Sequence, residues 1–395
     1  MSNSTPFKKP HPVKESRPRI GIYVSFSGQG GVERMMLNLA QGLLSLGCMV
    51  DLITVKTKST YLASVPAGVR QINLRASHTF GSLLPLAQYL RRERPSALLA
   101  AKDRANLVAV AARRLVRVPT RLVVRMGTTV SAALEGKRPL KERFWYLRMR
   151  IFYPGADAVV AVSKGVAEDL IANAKLSPSL IHAIPNPVIT PHLFSMAEEP
   201  LDHPWFRAGG PPVILGIGRL TRQKDFPSLI MAFAKARASV SCRLVILGEG
   251  QDRPKLEALA TSLGVGSDIW LPGFVQNPYS YLKRAALFVL SSAWEGSPNA
   301  LTEALALGTP VVSTDCPNGP REILQGGRFG PLVPVGDVNA MARAMLDTLA
   351  RPLEKSFLKS AVNAYTMEQS SRRYLEVLLG RVSQDRYDAE KYPGS

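Results

Sequence analysis

Residues 19–55 read RIGIYVSFSGQGGVERMMLNLAQGLLSLGCMVDLITV, and the order of patterns in this stretch decides the fold. Arg19–Phe26 is a short apolar run, the pattern of a buried strand. The loop Ser27–Gly31 (SGQGG) leads into an amphipathic segment that ends at Gly47, and residues 48–55 are apolar again. Strand, helix and strand in this order form a βαβ unit, from which parallel sheets are built. The alternation continues through SALLAA (96–101), the helical NLVAVAARRLV (106–116), RLVVRM (121–126) and ADAVVAVS (156–163), with a helix starting near Lys164. It restarts at PVILGIG (212–218) and runs through CRLVILGEG, DIWLPGF, LFVLSS and PVVST, each joined to the next by a helical segment. Two open parallel sheets with helices on both faces are therefore expected, and two such sheets imply a cleft between them. The proline-rich stretch 185–212, poor in periodicity, is where one unit should pass into the other.

The 395 residues are 46% hydrophobic and 20% charged, the composition of a soluble two-domain protein. The opening MSNSTPFKKPHPVKESRP has no apolar segment, so no signal peptide is expected, and no run is long enough to span a membrane. Cys48, Cys242 and Cys316 are too few and too scattered for a disulfide framework or a zinc site, which fits a reducing cytoplasm. The net charge of +20 is unevenly placed. Residues 1–195 carry 28 Lys and Arg against 10 Asp and Glu, a balance of +18, whereas residues 196–395 carry 22 against 20, a balance of +2. An excess confined to one half points to a polyanionic surface met by that half: anionic lipid, nucleic acid or a phosphorylated glycan.

Ligands of open α/β sheets bind beyond the carboxyl ends of the strands, and three features fall there. The SGQGG loop precedes a helix, so its N–H groups and the helix dipole suit an anion; it is neither GxGxxG nor a Walker A loop. GRLTRQKDF (218–226) also follows a strand, and Arg219 and Lys224 straddle its turn within reach of one pyrophosphate. In WEGSPNALTEALALGTPVV (294–312), Ser297 and Pro298 predict a helix start, with Ser297 as N-cap, and Gly308 a helix end. Glu295 would then sit in the loop and Glu303 inside the helix, either as exposed charges or as carboxylates at a ligand site. Taken together the three describe a slot for a diphosphate attached to something hydroxylated.

EGSPNALTEALALGTPVVSTD, with Glu295-x7-Glu303, resembles the signature of the family 4 retaining glycosyltransferases of the GT-B fold. GRLTRQKD resembles that family's phosphate clamp, GQGGVERMMLNLA its N-terminal glycine loop and LPGFVQN its nucleobase turn. The SPN after the glutamate and DCPNGPREI downstream resemble the branch acting on bacterial lipopolysaccharide and other envelope glycans. The resemblance implies two facing Rossmann-like domains, residues 19–190 and 191–365, with tails at 1–18 and 385–395. It also implies a final helix, residues 366–384, that crosses back onto the first domain. By position, Glu303 would hold ribose hydroxyls and Glu295 the transferred sugar. Arg219 and Lys224 would neutralise the departing diphosphate. Gly30 and Gly31 would allow close approach, the backbone of Gly273, Phe274 and Val275 would read a uracil edge, and Asn299 and Ala300 would offer N–H donors to phosphate. No metal or other cofactor is implied; the nucleotide-sugar is a substrate.

Many relatives carry a histidine where RLVVRMGTT (121–129) stands. Arg125 here either meets an acidic or phosphorylated acceptor or is a solvated arginine at a strand end. EGKRPLKERFWYLRMRIFYPGAD (135–157) interleaves cations with aromatics, which suits an anionic bilayer interface through Lys141, Arg143, Trp145, Tyr146, Arg148 and Arg150. The expected activity is sugar transfer from a nucleotide-sugar, UDP-linked, to a lipid-linked or lipopolysaccharide-core glycan, with the protein peripheral on the cytoplasmic face of the inner membrane. The competing readings are a nucleotide-sugar epimerase of the same fold and a basic nucleic-acid-binding protein; no helix-turn-helix, RNP or zinc pattern accompanies the charge, so no nucleic acid is expected.

Overall fold

The computed structural model describes residues 17–26, 31–57, 60–131 and 139–381, excluding the side chains of 56, 57, 60, 61 and 139–142. Most of the expected tail 1–18, the tail 385–395, most of the SGQGG loop with Gly30, and the Lys141 side chain lie outside the described residues.

The first domain holds seven strands: β1 Arg19–Phe26, β2 Met49–Thr57, β3 Arg70–Asn73, β4 Ala97–Ala101, β5 Arg121–Met126, β6 Ala158–Ala161 and β7 Ile181–Ala183. They form one parallel sheet in the order β3-β2-β1-β4-β5-β6-β7. The second holds six: β8 Val213–Ile217, β9 Arg243–Leu247, β10 Ile269–Gly273, β11 Leu287–Leu290, β12 Val311–Thr314 and β13 Leu332–Val333. These are also parallel, in the order β10-β9-β8-β11-β12-β13. Each order reverses once, between β1 and β4 and between β8 and β11. At such a reversal the loops part and leave a crevice beyond the strand ends.

The central strands are buried on both faces: Ile20, Ile22, Tyr23, Val24 and Phe26 of β1 are all 0% exposed. That is why they read as continuous apolar runs rather than alternating ones. The helix Gly31–Ser45 turns Met35, Met36, Leu39, Ala40 and Leu43 onto this sheet.

The chain passes between domains at residues 186–190 and returns beside the same segment. Val188 and Ile189 donate their N–H groups to the Tyr365 carbonyl, both at 3.0 Å, and Met367 donates to the Ile189 carbonyl at 2.8 Å. The last helix, Met367–Leu379, then packs on the first domain: Tyr374, Val377 and Leu378 join the core formed by β1, β2 and Gly31–Ser45. Contact with that helix is close at Gly42, where any Cβ would lie 2.0 Å from the Ser371 hydroxyl. The helix stops at Leu379, short of the expected 384, because Gly380 adopts φ 69° and its N–H turns back to the Val377 carbonyl.

Candidate active site in the interdomain cleft

A cavity of about 690 Å³ lies between the two domains at both sheet reversals. On the second-domain side, the turn after β8 is clasped by the turn after β9: Gly218 N–H bonds the Leu247 carbonyl at 3.0 Å and Leu220 N–H the Glu249 carbonyl at 2.9 Å. This clasp fixes Arg219 and Lys224 at the cavity wall. Lys224 lays its stem along Gly218 and reaches Glu295 with its ammonium at 2.5 Å. Ser292 also donates to Glu295, at 2.7 Å. Glu295 is 7% exposed, so its charge is held by named partners rather than by water. Arg219 is exposed, and among the described residues its guanidinium meets only the neutral Gln223 amide oxygen, at 3.4 Å. One cation is thus pre-paired and the other is available to an anion.

Above them starts the helix Asn299–Leu307, one residue later than expected. Pro298 stands at the N-cap in extended conformation with ψ 101°, and no side chain caps the first turn, so Ser297 does not play that part. The early N–H groups of a helix have no partner within it, and here no side chain supplies one to them. Asn299 and Ala300, at this uncapped end, line the cavity together with Phe274 and Val275. Gly273 ends β10 behind them and accepts the Gly248 N–H at 2.8 Å.

Glu303 is placed differently from the expectation. It is 1% exposed, is absent from the cavity lining, and is ion-paired with Arg34 of the first domain. Burial raises its pKa, and the Arg34 charge opposes that rise. Arg34 itself lines the cavity, with its guanidinium 5.6 Å from the Tyr279 ring centroid. The Arg34 side chain therefore links Glu303 to the cavity.

The first-domain wall takes Gly31, Glu33 and Arg34 from the GQGGVERMMLNLA stretch and adds Lys102 and Asn186, which no motif marked. Gly31 opens the first helix, 3.1 Å from the Asn299 amide as measured from the Cβ position. Glu33, buried, pairs with Lys102 at 2.6 Å, and Lys102 also donates to the Ser25 carbonyl at 2.7 Å. Lys102 follows β4 with φ 83°, a left-handed conformation that is costly for a residue with a Cβ.

Arg125 is not the solvated arginine that was one of its two expectations. It is 2% exposed; Nε donates to the Tyr374 hydroxyl at 3.1 Å and Nη2 to Asn186 Oδ1 at 2.6 Å. Asn186 in turn donates to Asn299 Oδ1 at 2.9 Å. One chain of hydrogen bonds thus ties the last helix, β5, the crossing segment and the second-domain helix together. Arg125 forms part of the cavity floor, but it is a tie between elements rather than a solvated strand end.

The helix Pro139–Phe152 also needs correction. Tyr146 is buried with its hydroxyl 3.3 Å from Asp169, and Arg148 pairs with Asp103 at 3.0 Å while stacking on Trp145. Trp145 lines a side pocket of about 420 Å³ that opens from the cleft. Burial raises the Asp103 pKa against the opposing charge of Arg148. The outward face is Arg143, Phe144, Leu147, Arg150 and Ile151, with Phe144 60% and Ile151 55% exposed. Of the six expected membrane contacts, only Arg143 and Arg150 are seen to face outward; the inward half follows from three- and four-residue helical spacing, which interleaving alone does not resolve. Among the described residues no helix is long and apolar enough to cross a membrane, and no group of three or more His, Cys, Asp or Glu is placed to hold a metal.

Comparison with known proteins agrees with this architecture. A family described as Glycosyltransferase Family 4 matches residues 29–191, and one described as Glycosyl transferases group 1 matches residues 211–351. The N-acetylgalactosamine-N,N'-diacetylbacillosaminyl-diphospho-undecaprenol 4-alpha-N-acetylgalactosaminyltransferase of Campylobacter jejuni is 31% identical over 382 residues, 92% of this chain and 100% of that protein. The lipopolysaccharide core biosynthesis glycosyltransferase LpsE of Rhizobium meliloti is 27% identical over 374 residues, 90% of this chain and 98% of that protein. Among solved structures, Anabaena Alr3699/HepE in complex with UDP and glucose superposes with a TM-score of 0.72 at 18% identity, covering 92% of this chain and 99% of that one, and shows the shared GT-B fold.

Proposed function

Because the chain belongs to the family 4 glycosyltransferases, we propose that it transfers a sugar, with retention, from a UDP-sugar to a lipid-linked or lipopolysaccharide-core glycan at the cytoplasmic face of the inner membrane. The observation that carries this is the arrangement of Arg219, Lys224 and Glu295 around an uncapped helix start in the interdomain cleft.

Departure of the nucleoside diphosphate breaks the bond from the anomeric carbon to phosphate oxygen and leaves negative charge on that oxygen. Arg219 is available to receive it, Lys224 stands beside it paired with Glu295, and the N–H groups at Asn299 and Ala300 add donors at the helix start; positive charge and donors held there stabilise the leaving oxygen. The acceptor hydroxyl attacks the same face, and its proton passes to the leaving phosphate. Glu295 holds the hydroxyls of the transferred sugar, Arg34 yields Glu303 to the ribose, and the backbone at Gly273–Val275 meets the base. The side pocket beside Trp145 receives the acceptor. Relatives named for diphospho-undecaprenol and lipopolysaccharide-core products support the acceptor class.

The outward face of Pro139–Phe152 suits an anionic bilayer, with Phe144, Leu147 and Ile151 for the acyl boundary and Arg143 and Arg150 for headgroups. The decisive experiment incubates the purified protein with a panel of UDP-, GDP- and CMP-sugars and measures nucleotide release and thermal stabilisation by the nucleotide alone. Stabilisation by UDP with slow release from one UDP-sugar supports the donor assignment. Stabilisation by GDP or CMP but not UDP overturns it.

A further inference from the structure

A second concentration of positive charge lies away from the cleft, where β5 begins. A hollow of about 610 Å³ is lined there by Arg113, Arg114, Arg117 and Arg121 with Asp157. Asp157 is the single carboxylate of the lining, and it is already engaged: it pairs with Arg113 and accepts the Leu122 N–H at 2.7 Å. Arg121 donates Nε to the Val377 carbonyl at 2.8 Å, a neutral partner. Arg114 lies against Gly155, and Arg114 and Arg117 are exposed with no ionic or hydrogen-bonding partner among the described residues.

Helix ends account for part of this charge. The helix Asp103–Val116 ends at Arg117, and the last helix presents its Val377 carbonyl to Arg121. Two helix C-termini together offset about one positive charge. Four guanidinium groups, less one carboxylate and about one charge from the helix ends, leave roughly +2. A phosphate monoester carries about −1.5 to −2 at neutral pH and accepts the planar guanidinium fork at two oxygens.

The hollow also borders the far end of the outward-facing helix. Arg113 donates to the Gly155 carbonyl at 2.9 Å, just past Phe152 where that helix ends. Fourteen residues make the helix about 21 Å long. Its Trp145 lines the cleft's side pocket, and its end abuts the arginines.

We propose that the hollow formed by Arg113, Arg114, Arg117 and Arg121 is a phosphate-binding site distinct from the cleft, and that it engages the phosphate of an anionic lipid headgroup when the Pro139–Phe152 helix lies on a bilayer. The lipid source rests on the membrane reading above; the site does not. Its role is to hold the far end of that helix at headgroup depth and so fix how the cleft faces a membrane-bound acceptor.

The test uses the full chain, wild type and Arg114→Gln/Arg117→Gln, in two arms. In the first, inorganic pyrophosphate is titrated calorimetrically with the cleft saturated by the nucleotide that stabilises the protein. The wild type should show a binding event that the double variant weakens about thirty-fold, the equivalent of roughly 1 kcal/mol for each arginine. Arg114→Lys/Arg117→Lys should restore only part of it, because the point charge remains and the fork is lost. In the second arm, vesicles of neutral lipid carry either phosphatidic acid or oleate at equal surface charge. The wild type should prefer the phosphate vesicles about tenfold, and the glutamine variant should lose that preference while retaining charge-driven binding. Loss in the first arm with an unchanged preference in the second keeps the site and rejects the lipid as its source. Absence of vesicle binding altogether defeats the membrane reading and leaves the first arm to decide. Identical pyrophosphate binding by wild type and glutamine variant overturns the proposal.

Discussion

The two walls of the cleft both carry cations but are assembled differently. The second-domain wall takes Arg219 and Lys224 from one turn and Glu295, Asn299 and Ala300 from another, each within a dozen residues of sequence. The first-domain wall takes Glu33 and Arg34 from the helix after β1, Lys102 from the end of β4, Arg125 from β5 and Asn186 from the crossing segment. On the second wall Arg219 stays within its own turn while Lys224 reaches Glu295, 71 residues on; on the first, Arg34, Lys102 and Arg125 each tie separate elements together. The difference predicts that loss of Arg219 falls on chemistry alone, and loss of a tying cation on either wall falls on stability and alignment as well.

The largest effects should come from the second wall, and its two cations separate chemistry from folding. Arg219→Ala should lower kcat/KM by about 10²–10³-fold, the loss seen when a fixed donor to a developing charge is removed. Its thermal midpoint should barely move, because the guanidinium is exposed and among the described residues meets only Gln223. Lys224→Ala should lose comparable activity and also about 3–5 kcal/mol of stability, since Glu295 is then left buried without its ion. Steady-state kinetics beside thermal denaturation distinguish the two, and equal destabilisation would erase the contrast.

Arg34 tests whether the first wall touches the donor directly. Arg34→Ala should leave UDP affinity within about threefold, because in the proposed complex the ribose replaces this guanidinium. It should nevertheless destabilise the fold by stranding Glu303. Glu303→Gln should do the reverse, with UDP binding weakened about ten- to hundredfold through loss of a charged hydrogen-bond acceptor. Isothermal titration reads both. A large affinity loss in Arg34→Ala would make Arg34 a donor ligand.

Arg125→Met follows. Losing a charged donor shared between Tyr374 and Asn186 should cost about 1.5–3 kcal/mol. With the tie to Asn299 slackened, kcat should fall several-fold while the KM for acceptor holds. A rise in acceptor KM alone, with stability intact, would return Arg125 to the acceptor-binding role expected from sequence.

These contrasts also explain what could be read beforehand. The sheets were legible because both faces of β1, β4, β8 and β11 are covered, which writes each strand as an apolar run. β3 was not: Arg70–Asn73 is an exposed edge strand whose RQIN carries no apolar run, and β13 is two residues long. The placing of Arg219 and Lys224 at the cavity was legible because one turn carries both. Lys102 was not, since its pairing with Glu33 joins residues 69 apart and a lone lysine after a strand carries no spacing signal. The sequence shows the position of Arg125 at a strand end but not its burial, because its partners Asn186 and Tyr374 lie 61 and 249 residues away. For the Pro139–Phe152 helix, the face could have been found by placing Arg143, Leu147, Arg150 and Ile151 at three- and four-residue spacing.

The smallest effect should arise where the walls touch. Asn318, at φ 63°, fits so closely over Gly165 that a Cβ there would lie 1.8 Å from its side-chain oxygen, and its amide donates to Thr129 at 2.6 Å. Beside it Glu322 of the second domain accepts the Lys164 N–H at 2.9 Å, at the start of the first-domain helix Lys164–Ala174. Burial raises the Glu322 pKa; the Lys164 N–H and the charges of Lys164 and Arg373 oppose the rise, and Glu168 adds to it. A carboxyl group whose folded pKa lies above its unfolded value keeps its proton longer in the folded chain. Its contribution to stability is therefore full below the unfolded pKa and is lost as pH rises through the folded one. Glu322→Gln keeps the acceptor for Lys164 and removes the titration. It should match the wild type under acidic conditions and exceed it by about 1 kcal/mol or less above the folded pKa of Glu322. Denaturant unfolding across that range reads the difference. Parallel pH curves would mean that the Glu322 charge is fully compensated by its neighbours and that closure of the two walls is insensitive to its protonation.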